Sequence, residues 1–178
     1  METKKVNFAF EKPERNRLEN KNEMAAFIVQ SAVLKDVPQI YNLIQKLAEY
    51  EREPNAVTLS LAQFAEDGFG TSPLWQALVA RSDETVIGFA LWYVRYSTWK
   101  GRRLYLEDLY VEEGWRRAGV ATALMDGLVA LVRQNGFSGM VWQVLSWNEP
   151  AKAFYRKYNP AVIFDAGWEN VSLTPFGD

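Results

Sequence analysis

The sequence contains neither cysteine nor histidine. Without cysteine the chain has no disulfide, no thiolate metal site and no thiol nucleophile. Without histidine it has no imidazole base, no serine–histidine triad and no histidine-bound metal. If the protein is an enzyme, its proton transfers must therefore use carboxylates, tyrosine, lysine, a backbone group or water. We expect no metal at its active site.

Long uncharged apolar runs and a surplus of positive charge are also missing. No stretch of ~18 such residues occurs, and the N-terminus lacks the apolar segment and small-residue cleavage site of a secretory signal. The 20 Lys and Arg residues are balanced by 22 Asp and Glu residues, whereas binding to a phosphate backbone favours a basic chain. We expect a cytoplasmic protein with neither nucleic acid nor membrane as a partner.

What is present suits one globular domain. The chain has 178 residues, of which 48% are hydrophobic, and a chain of this length usually buries a single core. Residues 1–23 are mostly polar with charges of both signs, which is typical of an irregular arm. The sequence therefore predicts an arm at 1–23 and one domain at 24–178.

The hydrophobic pattern predicts a mixed α/β (α+β) fold. A strand at 25–33 precedes Asp36, which is placed to cap a helix that has Pro38 in its first turn. A shorter helix ends at Gly68, and three successive strands at 74–82, 84–96 and 102–111 suggest antiparallel pairing. The rest predicts a helix at 118–135, a strand at 139–145, a helix at 149–158 and a final strand at 170–173.

Two adjacent carboxylates, Glu107 and Asp108, interrupt the third of the successive strands. Neighbouring side chains on a strand point to opposite faces, so one of the two should face a core or a cleft. A β-bulge at this point would direct both toward one site. The alternative is an edge strand that carries protective charges.

The segment RRAGVA at 116–121 lies where this strand gives way to a helix. Such a junction leaves backbone N–H groups unpaired at the positive end of the helix dipole, and Gly119 would let an anion approach the main chain. An ordinary solvated helix start is the alternative. The segment is neither a P-loop nor a dinucleotide fingerprint.

Two spaced motifs resemble the GCN5-related N-acetyltransferases (GNAT). They are R-x-x-G-x-A, from Arg116 to Ala121, and N-x-x-A-x-x-F-Y, from Asn148 to Tyr155. The blocks LAEYE, EDGFG, YSTWKGR, YLEDLYV and WNEPAKAFY and a late GW are similar to the spermidine/spermine and thialysine N-acetyltransferase group, and YSTWKGR favours the thialysine branch. The resemblance covers roughly residues 26–171.

The resemblance implies a GNAT fold, with a mixed, mostly antiparallel sheet of six to seven strands flanked by about four helices. It also implies acetyl-CoA as co-substrate, no metal and a homodimer. Pantetheine would lie along the strand after the carboxylates, the pyrophosphate would lie in the glycine loop, and Asn148 would reach the same ligand. The implied cofactor-binding residues are Leu109, Tyr110, Val111, Arg116, Arg117, Ala118, Gly119, Val120, Ala121, Thr122 and Asn148.

The resemblance also implies how an amine is acetylated. Glu107 takes the proton of the amine through a water, and Asp108 holds the ammonium. Tyr155 protonates the departing thiolate of coenzyme A. The alternative for Tyr155, which the motif disfavours, is an ordinary tyrosine of the core. The implied substrate-binding residues, each of which has an ordinary structural reading as well, are Tyr50, Glu51, Trp99, Asp165 and Trp168.

Several positions depart from the pattern of the group. Ser97 stands where the polyamine enzymes have an acidic residue, which favours a short amine over spermine. Arg117 and Ala118 replace a common Arg-Gly, and Asn159 before Pro160 replaces a glycine. We expect an N-acetyltransferase that moves acetyl directly to the primary amine of a small cationic substrate. The alternatives are a peptide or protein N-acetyltransferase and a non-catalytic acyl-CoA-binding domain.

Overall fold

A computed structural model describes residues 26–165, 167, 170 and 171 of the chain. The described chain divides into one compact unit that ends at Gln143 and a second that begins at Val144. The helices and strands of the first unit are β1 (Ile28–Ser31), α1 (Val37–Tyr50), α2 (Leu61–Phe69), β2 (Gln76–Ser82), β3 (Thr85–Ser97), β4 (Gly101–Val111), α3 (Val120–Gln134) and β5 (Met140–Trp142). The second unit contains α4 (Glu149–Tyr158).

Five strands form one sheet in the order β1-β2-β3-β4-β5. The first four pair antiparallel, as the short connections between them predict, whereas β4 and β5 pair parallel through the crossover helix α3. The sheet is therefore mixed and mostly antiparallel, as expected.

The core lies on both faces of this sheet. On one face α1 buries Ile40 and Leu43, which are three residues apart and so share one side of the helix, against Phe89 and Leu91 of β3. On the other face α3 packs so closely that its Gly127 lies against the side chain of Leu78. Neighbouring residues of β2 thus face different helices: Val79 belongs to the cluster under α1, and Leu78 contacts α3.

The sheet has five strands in the described chain, not the six to seven that the resemblance implies. β5 pairs only with Leu104–Leu106 of β4, so it is shorter than the strand predicted at 139–145. The final predicted strand at 170–173 is absent at Asn170 and Val171, and its other two residues lie outside the described residues. The second helix of the chain runs on to Phe69 instead of stopping at Gly68.

Asp36 does not cap α1 with its side chain, contrary to the sequence-based expectation. A single turn of 3-10 helix at 34–36 precedes α1, so the carboxylate instead accepts a hydrogen bond from the backbone N–H of Val33, at 3.1 Å, and pairs with Arg81 of β2. The ion pair is buried and links the start of α1 to the sheet.

Candidate active site

A β-bulge in β4 brings the two adjacent carboxylates to one site. Leu91 of β3 pairs with Asp108 and Trp92 pairs with Leu106, so Glu107 is an extra residue without a partner on β3. A bulge of this kind turns the side chains of both residues toward the same side of the strand. Of the two alternatives that the sequence left open, the β-bulge is therefore present. The bulge also marks the point at which β5 stops pairing with β4.

Three carboxylates gather where the C-terminus of α1 meets the bulge. Burial raises the pKa of the half-buried Asp108 to about 7, and the nearby charges of Glu107 and Glu51 add to the effect. Burial also raises the pKa of Glu51. No cation contributes to the shift at Asp108, which makes this carboxylate costly to ionise until a positive charge arrives.

Two stacked tyrosines continue the site along the sheet. Tyr93 and Tyr105 face each other across β3 and β4, with ring centres 5.0 Å apart. Burial raises the pKa of both phenols, and so does the charge of Glu107, which is within hydrogen-bonding reach of Tyr93. The guanidinium of Arg95 lies 5.7 Å from the ring centre of Tyr105. Carboxylates and a guanidinium thus flank one aromatic pair.

The second half of β4 has an open edge on the side of β5. β5 covers Leu104–Leu106, whereas β4 continues to Val111 and is paired there with β3 alone. Backbone groups on the uncovered side can take an added extended chain in the manner of another strand. This edge begins at the bulge, next to Asp108, and includes Leu109 and Tyr110.

The loop that leads into α3 offers a set of backbone amides. Gly119 has a φ of 87° and Arg117 has a φ of 64°, and a Cβ atom built on Gly119 would have no protein atom within 4 Å. α3 begins at Val120, directly after the turn at residues 116–119, so the amides of residues 117–122 lie at the N-terminus of this helix. At the N-terminus of a helix such amides favour an anion. The loop contains Arg117, Ala118, Gly119, Val120, Ala121 and Thr122.

Arg116 turns back from this loop toward the end of β4 and the C-terminus of α1. Its Nε atom donates a hydrogen bond of 3.1 Å to the carbonyl of Val111. Its guanidinium lies 5.1 Å from the ring centre of Tyr50 and 5.6 Å from that of Tyr110. In this structure Arg116 therefore contacts the aromatic residues near Glu51.

The second unit carries the other motif residues. Asn148 precedes α4 and accepts a hydrogen bond from the backbone N–H of Ala151, at 3.2 Å, so it acts as the helix N-cap. Tyr155 is buried, and its ring centre lies 5.3 Å from that of Phe154. Asp165 is exposed and accepts a hydrogen bond from Gly167. Trp168 lies outside the described residues.

Trp99 does not lie with the carboxylates. It occupies the turn between β3 and β4, and 84% of its surface is exposed. The pair Ser97–Gly101 that closes this turn is six β3 residues from the pair Leu91–Asp108, or about 20 Å along the strand. The hydroxyl of Ser97 accepts hydrogen bonds from the backbone N–H groups of Trp99 and Lys100 and so shapes the turn.

Sequence reasoning missed Tyr93, Tyr105 and Arg95. Their signal was the pairing register of β3 and β4, which the short turn after Ser97 fixes. In that register Tyr93 lies opposite Tyr105, and Arg95 is two residues further on the same face. Within the described chain, no group of three or more acidic residues is placed to hold a metal ion, and no helix has the length and apolar character to cross a membrane.

A comparison with known protein families identifies the class of this protein. Residues 37–159 match the acetyltransferase (GNAT) family, and this chain belongs to that family.

Curated proteins and solved structures that are similar to this chain include several N-acetyltransferases. The chain is 34% identical over 154 residues to the thialysine N-epsilon-acetyltransferase of Bos taurus, a match that covers 82% of this chain and 91% of that protein. It is 28% identical over 169 residues to the spermidine/spermine N(1)-acetyltransferase-like protein 1 of Homo sapiens. This match covers 82% of this chain and 24% of that protein. An aminoglycoside acetyltransferase from an uncultured soil metagenomic sample shares the fold, with 18% identity, 83% and 97% coverage of the two chains and a TM-score of 0.71.

Proposed function

We propose that this protein transfers acetyl from acetyl-CoA directly to the primary amine of a small cationic substrate: a thialysine-like amino acid, a diamine or a polyamine. The observation that carries the proposal is the carboxylate cluster of Glu51, Glu107 and Asp108 at the start of the open edge of β4. The positive charge of an ammonium group would be attracted to these carboxylates and would favour their ionised form.

The first unit suits acetyl-CoA at two points. The open edge from Leu109 to Val111 can hydrogen-bond an extended amide chain such as pantetheine. The amides of residues 117–122 can hold a pyrophosphate, because Gly119 leaves open the space that a Cβ atom would fill. Bound there, acetyl-CoA supplies an activated thioester. Asn148 remains in the proposal as a further contact, and residues 24–178 are taken as one catalytic domain because the family match spans both compact units.

Asp108 is the group that we assign to deprotonate the amine. An alkylammonium has a pKa of about 10.4 and must lose its proton before it can attack a thioester. A base works best when its pKa lies near the working pH, and the pKa of Asp108 is raised to about 7. Glu107 is more exposed and lies near Tyr93, so we assign it to hold the ammonium. These assignments exchange the two roles that the family resemblance implies.

Tyr155 is the proposed proton donor for the sulfur of the departing coenzyme A. A thiolate of that kind has a conjugate acid with a pKa of about 8.5, so a phenol can protonate it. Burial of Tyr155 supports the role, since a shielded phenol transfers its proton to the group it faces and not to bulk water. Neither step needs a thiol or an imidazole.

The choice of amine rests on the relatives and on the turn at Ser97. The thialysine N-epsilon-acetyltransferases of Bos taurus and Sus scrofa are 34% and 31% identical to this chain over most of its length, and Ser97 supplies no negative charge for a distant ammonium. We therefore place thialysine and similar short amines before spermine. A homodimer in the cytoplasm, without a nucleic-acid or membrane partner, completes the proposal.

The experiment is a measurement of coenzyme A release from acetyl-CoA with a panel of acceptors. The panel contains thialysine, ornithine, putrescine, spermidine, spermine and a lysine-containing peptide. We expect turnover with free amines, highest with a short one. Greater turnover with the peptide would favour a peptide N-acetyltransferase. Binding of acetyl-CoA without any release would favour a non-catalytic binding domain and overturn the proposal.

A further inference from the structure

A guanidinium faces the carboxylate cluster from the far side of the tyrosine pair. Arg95 lies over the ring of Tyr105, and its charge lowers the pKa of Tyr93 and Tyr105 while the charge of Glu107 raises it. Both charges therefore act on the same two rings from different positions. Along the paired strands β3 and β4, the carboxylates of β4 are followed by the stacked rings and then by the cation of Arg95.

The guanidinium of Arg95 is accessible to a ligand. Its side chain is exposed, and within the described chain it forms no ion pair or hydrogen bond. Other arginines of the sheet differ: Arg81 is buried in an ion pair with Asp36, and Arg103 donates to the carbonyl of Met140. The donors of Arg95 can thus bind an anion that comes from outside, and the geometry of a guanidinium matches a carboxylate.

The spacing suits a short substrate with a charge at each end. Tyr93 is two residues from Leu91, the partner of Asp108, so the tyrosine pair lies about 7 Å along the strand from the carboxylates. An extended side chain of the length of lysine spans such a distance. Arg95 is two β3 residues beyond Tyr93, and its guanidinium lies 5.7 Å from the ring centre of Tyr105. An amine beside the carboxylates would then lay its carbon chain over the rings, with its far end directed toward that guanidinium.

The surrounding charge favours an anion at that far end. The hairpin from Tyr93 to Leu106 contains four Lys and Arg residues and no acidic residue. A second ammonium at this position would meet the charge of Arg95 without a carboxylate to offset it, whereas a carboxylate would gain a charge-assisted hydrogen bond.

We infer that Arg95 is a specificity-determining residue that selects amines with a carboxylate at the opposite end and disfavours diamines of the same length. This inference rests on the proposed function and narrows its substrate class to amino acids acetylated on the side-chain amine.

The test compares three acceptors that differ in the far group: thialysine, its α-carboxamide, and the diamine cadaverine. Coenzyme A release gives kcat/KM for each with the wild-type protein, Arg95→Gln and Arg102→Gln. Arg102 is a matched control because it lies on the same hairpin, but its guanidinium lies over Phe137, which packs against Trp92 on the other face.

We expect the wild-type protein to prefer thialysine over its carboxamide by about tenfold, the effect of one charge-assisted hydrogen bond at a partly exposed site. Arg95→Gln should bring this ratio close to one, mainly by lowering kcat/KM for thialysine, and should raise kcat/KM for cadaverine. Arg102→Gln should leave all three values within about twofold. Arg95→Glu, a second variant, should favour cadaverine over thialysine.

Equal wild-type values for thialysine and its carboxamide would overturn the inference, and so would an equal loss on all three acceptors in Arg95→Gln or the same change of ratio in Arg102→Gln. These results leave the proposed function intact, because acetylation still occurs. Absence of coenzyme A release with every acceptor would instead contradict the proposed function itself.

Discussion

Asp36 and Asp108 differ in the charges that surround them. Asp36 has a cation as its neighbour, whereas Asp108 has other carboxylates. Asp36 is fully buried, pairs with Arg81 and accepts a hydrogen bond from Val33. Asp108 is half-buried, and the charges that act on it are those of Glu107 and Glu51. The first carboxylate meets a permanent cation of the protein, whereas the second has only like charges for neighbours.

The difference supports a structural role for Asp36 and the proposed reactive role for Asp108. A buried ion pair fixes both partners, since removing either one leaves an uncompensated charge in the interior. Burial, together with the like charges beside it, raises the pKa of Asp108 to about 7, and such a carboxylate gains most from an external cation. The comparison assigns Asp36 to the fold and Asp108 to the amine.

The largest effect is expected from Asp108→Asn. The variant keeps the size of the side chain but cannot accept the proton of the ammonium, so kcat/KM for thialysine should fall by about 10² to 10⁴. Steady-state release of coenzyme A measures it. The matched variant Glu107→Gln should raise KM more than it lowers kcat. The assignment fails if Asp108→Asn retains wild-type turnover.

Asp36→Asn should act on stability and not on chemistry. It leaves the buried Arg81 without its counter-charge, which costs about 3–5 kcal/mol in free energy of unfolding. Urea denaturation measures this loss, and kcat of the folded fraction should stay near that of the wild type. The double variant Asp36→Asn with Arg81→Met should be more stable than Asp36→Asn alone. An unchanged denaturation midpoint in Asp36→Asn would argue against a structural role.

A smaller effect, on the affinity for acetyl-CoA, is expected in the loop before α3, where backbone amides and not carboxylates form the proposed site. Gly119→Val places a side chain in the open space that we assign to the pyrophosphate, and the affinity for acetyl-CoA should fall by about tenfold to a hundredfold. Calorimetric titration measures it. Gly136→Val is the control, because Gly136 also has a positive φ, of 61°, and open space around it. Equal affinities in the two variants would remove the pyrophosphate from this loop.

The smallest effect is a pH dependence of stability. The pKa of Asp108 is raised above its value in the unfolded chain, so the folded state binds the extra proton. This contribution to stability is fully present below pH ~4 and is lost as the pH rises to about 7. Asp108→Asn should therefore melt at a higher temperature than the wild type, by a small margin at pH 5 and by a larger one at pH 8.5. A lower melting temperature at pH 8.5 would contradict the raised pKa.

Local sequence patterns predicted most of the fold. The four helices of the described chain, its successive antiparallel strands and the mixed character of its sheet followed from hydrophobic period, glycine stops and short connections. The parallel pairing of β5 with β4 was not specified in advance. The error at Asp36 has a physical reason: its partner Arg81 lies 45 residues away in the sequence, and local capping rules contain no information about such a partner. The length of β5 likewise depends on the bulge in β4.

The sequence predicted the two adjacent acidic residues of the candidate site but not the residues that surround them. Adjacent Glu107 and Asp108 interrupt an apolar strand, which is visible in the sequence. Their unequal surroundings depend on the bulge and on the position at which α1 ends, so they required the structure. Arg95 became a candidate only through its register with Arg103 and its contact with Tyr105.

The most direct test of the difference between the two aspartates is the pH profile of kcat/KM for thialysine in the wild type and in Glu107→Gln. The acid limb of this profile reports the base of the free enzyme. We predict a limb near pH 7 in the wild type that persists in Glu107→Gln and moves to lower pH, since one like charge is removed. Loss of the limb in Glu107→Gln, with turnover retained in Asp108→Asn, would show that Glu107 and not Asp108 takes the proton.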